Sequence, residues 1–99
     1  LTPYLLIDEK NYQFNTYHTF VIQTKKRDKL IKYLKSKGIG TSIHYPIPIH
    51  LQPAAKYLGY KKGSFPQTEK QSKSILTLPV HQNLKQFELN KIIKCLNQF

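Results

Sequence analysis

Apolar and polar positions sort the chain into three kinds of segment. From Tyr17 to Thr24 the residues Tyr-His-Thr-Phe-Val-Ile-Gln-Thr are aromatic and β-branched, which predicts a strand. Phe20 and Ile22 fall on one face of it and Val21 on the other. A helix is predicted over Arg27 to Lys37, because Leu30, Ile31 and Leu34 make an apolar stripe among lysines. Asp28 occupies its first turn, where a negative charge meets the positive end of the helix. Gly38 stops it, and Ile39 supplies the apolar contact of a glycine cap. Thr41 to Tyr45 predicts a second strand, with Ile39, Ile43 and Tyr45 on one face and Ser42 and His44 on the other. Pro46 and Pro48 then impose an extended path.

Further along, Gln52 to Leu58 predicts a short helix closed by Gly59. Ser64 with Gln67 three residues later has the spacing of a capping box, so a helix is expected from Phe65 to about Ile75. Ile75-Leu76-Thr77-Leu78 runs into Pro79 as a third short strand. The last helix is marked by Leu89, Ile92, Ile93 and Leu96 at i, i+3, i+4 and i+7. The order β-α-β-α-α-β-α predicts an α+β fold, a small three-stranded sheet packed by helices. Leu1 to about Thr16 shows no sustained period and reads as an irregular connector, leaving 17–99 as the folded unit. With 99 residues the chain makes one domain at most and buries only about 60–65% of its unfolded surface. A sheet this small leans naturally on another domain, and a first residue other than Met fits a piece of something longer.

Composition narrows the function classes. Apolar residues at 39% and aromatics at 12% are too abundant for a disordered chain. No apolar stretch approaches the ~20 residues of a membrane-spanning helix, and no secretion signal is visible. Cys95 stands alone, so neither a disulfide framework nor a zinc-finger site is expected, and a reducing, cytoplasmic setting follows. Sixteen Lys and Arg against five Asp and Glu give +11, a surplus that favours anionic partners. Its densest part runs from Lys25 to Lys37, which makes a small basic nucleic-acid-binding module the alternative reading. Only Arg27 among the sixteen is an arginine, and base readout favours the arginine fork, so specific DNA reading is disfavoured.

The candidate chemistry gathers at His44-Tyr45-Pro46-Ile47-Pro48-Ile49-His50. Two imidazoles and a phenol on a proline-stiffened loop at a strand end suit gripping a substrate. A metal site from His18, His44, His50, His81 and Cys95 lacks ligand spacing and neighbouring carboxylates. Ser42 and Cys95 lack a nucleophile elbow, and the four scattered glycines form no phosphate loop. The residues alone give a binding loop without a reaction centre.

Tyr17-His18-Thr19-Phe20-Val21-Ile22, Arg27-Asp28-Lys29-Leu30 and Lys37-Gly38-Ile39-Gly40-Thr41-Ser42-Ile43-His44-Tyr45-Pro46-Ile47-Pro48-Ile49-His50-Leu51-Gln52-Pro53 resemble the DegT/DnrJ/EryC1/StrS aminotransferases. Leu58-Gly59-Tyr60, Gly63-Ser64-Phe65-Pro66, Glu69 and Leu76-Thr77-Leu78-Pro79-Val80-His81 continue the likeness, which runs from about Tyr17 to Phe99. The resemblance implies the C-terminal small domain of a fold type I, pyridoxal-phosphate-dependent enzyme. Such enzymes aminate keto sugars on nucleotides, typically from glutamate, and work as homodimers. It places His44, Tyr45 and His50 beside the nucleotide-sugar pocket. The Schiff-base lysine, the aspartate facing the pyridine nitrogen and the phosphate cup would belong to a preceding large domain, so this chain alone is expected to be inactive and to hold no cofactor. Ser64-Phe65-Pro66-Gln67-Thr68-Glu69-Lys70 faintly imitates the family's lysine region, but no glycine-rich stretch follows, so Lys70 reads as a solvated helix residue. A non-functional truncated fragment is a third reading.

Overall fold

The computed structural model describes residues 9–99, so Leu1 to Asp8 of the expected connector lie outside the described residues. Residues 9–16 form no helix or strand, and Tyr12 and Phe14 are exposed. The first strand, β1, is Phe20–Gln23 and pairs antiparallel with β2, Ile75–Leu78. Their register sets Phe20 opposite Leu78, Val21 opposite Thr77 and Ile22 opposite Leu76. Because successive side chains alternate, Phe20, Ile22, Leu76 and Leu78 share one face and Val21 and Thr77 share the other.

The apolar face carries the core. Helix α1, Arg27–Ser36, supplies Leu30 and Leu34, both without exposed surface. Helix α3, Gln86–Gln98, supplies Ile92 and Cys95, which join Ile39, Leu76 and Leu78 in one buried cluster. Helix α1 ends as its sequence predicts. Gly38 has φ +76°, where a Cβ is strained, and the Ile39 amide donates to the Leu34 carbonyl at 2.9 Å. The Thr24 amide donates to the Ser74 carbonyl at 2.9 Å, and the Thr24 hydroxyl accepts the Lys26 amide at 3.1 Å at the start of α1.

The α+β class holds, but the sheet has two strands where three were expected. The third is a single antiparallel bridge: the Ser42 amide donates to the Thr77 carbonyl at 3.1 Å and the Thr77 amide returns to Ser42 at 2.7 Å. Pro46 and Pro48 lack the amides a longer ladder needs and bend the chain away. Tyr45 consequently leaves the face shared by Ile39 and Ile43 and stands exposed.

Three helical expectations shift in detail. Gln52 to Leu58 is a tight 3₁₀ segment over Pro53–Leu58, closed by Gly59 as predicted. Helix α2 spans only Pro66–Ser72, because Ser74 folds back, its amide on the Gln71 carbonyl, and delivers Ile75 to β2. The Ser64–Gln67 capping box does not form: Phe65 is the cap, and the Ser64 hydroxyl accepts the Lys61 amide at 2.9 Å. In α3 the buried residues are Ile92 and Cys95, with Leu96 half-buried beside them, while Leu89 and Ile93 are exposed. Cys95 behaves there as a small hydrophobe. At α3's other end the Lys85 amide donates to the Glu88 carboxylate at 2.8 Å.

Arg27 is part of the framework. Its side chain is mostly covered, and its guanidinium donates to the Ser72 carbonyl at 2.6 Å, tying the start of α1 to the end of α2. Truncating core leucines should separate these roles. Leu76→Ala is expected to cost about 2–5 kcal/mol in a urea titration, as buried leucines generally do. Leu89→Ala, on the exposed side of α3, should stay within about 0.5–1 kcal/mol.

Candidate functional site

The face of the sheet turned away from the helices is an open hollow of about 760 Å³. Val21 and Thr77 form its floor, and residues 40–42, His44, Tyr45 and residues 79–81 line its sides. Two of the three candidate residues, His44 and Tyr45, line it. They arrive there because the Ser42–Thr77 bridge holds the chain against β2 immediately before the proline turn. His44 Nδ1 shares a 3.0 Å hydrogen bond with the Thr77 hydroxyl, itself on a buried residue. That contact fixes the ring and leaves Nε2 as the nitrogen available to a ligand. The Tyr45 ring meets His44 edge-on, 5.3 Å between centroids.

His50 goes elsewhere. The 3₁₀ turn Ile49–Leu51 buries it against α2, where Nε2 lies 2.8 Å from Glu69 Oε1. Phe65 packs edge-on against its ring at 4.9 Å, and Tyr60 packs on Phe65. The same Glu69 oxygen accepts the Gly63 amide at 2.7 Å, from a turn in which Gly63 has φ +94°. His50 is absent from the residues lining the hollow and acts as a strut beneath the loop. Thus the loop carrying Tyr45 is pinned at both ends, by His44 on Thr77 and by His50 on Glu69.

The hydrogen bond from His50 holds the Glu69 carboxyl below its ordinary value, against an opposing desolvation effect and with help from the Gly63 amide. The folded state therefore favours the ionised carboxylate. Its stabilisation is complete above the ordinary carboxylate range and disappears as pH falls through the depressed value.

The sequence did not single out Glu69 or Thr77 as working residues. Thr77 was readable, since it is the polar position between Leu76 and Leu78 and must face away from the core. Glu69 was not, because nineteen residues separate it from its partner. Lys70 is exposed on α2 and does not line the hollow. Among the described residues, no group of three or more His, Cys, Asp or Glu is arranged to hold a metal ion.

A two-stranded sheet with one packed face and one open, loop-walled face defines a small α+β domain. The model of the DegT/DnrJ/EryC1/StrS aminotransferase family matches residues 3–97, and the chain belongs to that family. It is 37% identical over 91 residues to a pleiotropic regulatory protein of Geobacillus stearothermophilus, covering 92% of this chain and 24% of the relative. It is 32% identical over 83 residues to the dTDP-3-amino-3,4,6-trideoxy-alpha-D-glucose transaminase of Streptomyces venezuelae, covering 84% and 22% respectively. The crystal structure of S. venezuelae DesV with a ketimine intermediate superposes with a TM-score of 0.78 at 33% identity, over 83% of this chain and 22% of that one. The chain thus spans about a quarter of the length of these relatives.

Removing the Glu69 charge should expose the strut's contribution. Wild type is expected to lose stability below about pH 4.5, and Glu69→Gln is expected to flatten that loss. Chemical denaturation at pH 3.5 and 6 measures it, and equal slopes in both proteins would assign the strut no ionic role.

Proposed function

We propose that this chain is the C-terminal small domain of a pyridoxal-phosphate-dependent aminotransferase that transfers an amino group, from glutamate, to a keto sugar carried on a nucleotide. The observation that carries this reading is the family match over residues 3–97, with His44 and Tyr45 on the open face of the sheet. Residues 1–16 serve as the connector and 17–99 as the domain proper, within a cytoplasmic homodimeric parent. His44 offers Nε2 and Tyr45 its phenol to the sugar nucleotide, orienting it toward chemistry performed by the rest of the protein. His50 supports that loop from beneath.

The hollow does not fit the cofactor by itself. Pyridoxal phosphate is attached through a lysine, and among the described residues no lysine lines the hollow. The reaction's covalent steps belong to the large domain in this reading, and the 99-residue chain alone is inactive.

Two experiments test it. The chain mixed with pyridoxal phosphate is expected to show no stable absorbance at about 410–430 nm, the range of an internal aldimine. In a protein extended to the relatives' length, His44→Ala should raise the KM for the sugar nucleotide by about tenfold, the worth of one good hydrogen bond. The cofactor band should persist. Equal loss of cofactor and substrate use in a folded variant would remove His44 from a substrate role.

A further inference from the structure

Two more imidazoles share the hollow with His44. His18, just before β1, and His81, just after β2, line it from the same end of the strand pair, because the antiparallel register sets Phe20 opposite Leu78. The hydroxyl-bearing Thr19, Thr41 and Ser42 line it as well. Among the described residues lining the hollow there is no aspartate, glutamate, lysine or arginine. In a chain with sixteen Lys and Arg, the basic surplus therefore stands outside the lining of the hollow. A cavity free of carboxylates inside a domain of charge +11 has a potential that favours anions. An imidazole presents an N–H donor in either protonation state, and hydroxyls rotate to donate as well. Imidazole and hydroxyl donors lining one hollow match an oxyanion, and among the described residues no group of three or more His, Cys, Asp or Glu is arranged to hold a metal ion.

We propose that His18, His44 and His81 together seat a phosphate oxyanion, the diphosphate of the nucleotide-linked substrate. This rests on reading the hollow as the substrate site, and it adds His18 and His81 to the residues that hold the substrate. Thr77 contributes indirectly, as the positioning residue that commits His44 Nδ1 and leaves Nε2 for the ligand. His50 takes no part, being closed off against Glu69.

The test is a titration of the chain followed through its four histidine imidazole NMR signals, with inorganic pyrophosphate, UDP-glucose, uridine and L-glutamate as probes. Pyrophosphate and UDP-glucose are expected to shift His18, His44 and His81 together to saturation while His50 stays in place, and uridine is expected to shift none. His81→Gln should weaken pyrophosphate binding by about fivefold or more, as loss of a charge-assisted hydrogen bond does. Lys29→Gln and Lys32→Gln on α1 should change it less than about twofold, as expected of distant exposed charges. Saturation by UDP-glucose and uridine without pyrophosphate would overturn the oxyanion seat and leave the substrate site standing. Pyrophosphate binding without UDP-glucose would keep the seat and remove the nucleotide-sugar reading. Tighter binding of glutamate than of pyrophosphate would reassign the seat to a carboxylate and overturn the phosphate assignment. No saturable histidine shift with any probe would overturn the proposal outright.

Discussion

The pairing of Phe20 with Leu78 and Ile22 with Leu76 puts four apolar side chains on one face of a two-stranded ribbon. An isolated ribbon of that kind is marginal in water, so its persistence depends on what docks on that face. Leu30 and Leu34 of α1 and Ile92 and Cys95 of α3 do so, each leucine being worth about 1.5–3 kcal/mol when fully buried. A register slip of one residue would send the apolar set to the other side and present Val21 and Thr77 to the helices. The helix-facing core and the open hollow are therefore one decision, made by the strand register.

Thr77 stands where the two halves meet. Its main chain bridges to Ser42 and fixes the strand-like approach to the loop, while its hydroxyl holds His44. At the far end of the loop, Glu69 holds His50 from beneath. Between these anchors Tyr45, Ile47 and Ile49 are exposed, held in place by prolines and end contacts without core packing of their own. Rigid placement of exposed side chains is what a binding loop needs, since little ordering remains when a ligand arrives.

Much of this was legible in the sequence, where one residue type in one period has one physical meaning. Leu30 and Leu34 at helical spacing, Gly38 as the stop and Ile39 as its apolar contact all stand where the pattern puts them. The third strand was overread, because β-branched content at Thr41 to Ile43 does not reveal that Pro46 cuts the ladder to one bridge. The Ser64 capping box failed for a related reason: a nearer amide, that of Lys61, takes the hydroxyl. For the site, the loop of His44 and Tyr45 was visible as an oddity of composition, and the family resemblance gave it a setting. The separate fate of His50 was not visible, since local sequence does not show which of two imidazoles a distant glutamate will claim. Nor did it show that Arg27, the sole arginine, serves as an internal tie.

The charge of the chain has a corresponding division. The lysines of α1 are exposed on the side of the sheet that carries the core, whereas the hollow is lined by imidazoles and hydroxyls. A general polyanion would gather at the first surface and a small phosphate-bearing substrate at the second. Photolabelling with a diazirine-bearing UDP-sugar, read by peptide mass spectrometry, distinguishes these surfaces most directly. Adducts are expected on residues 42–45 and 79–81, suppressed by excess unlabelled UDP-sugar. Adducts confined to Lys29, Lys32 and Lys35 of α1 would contradict it.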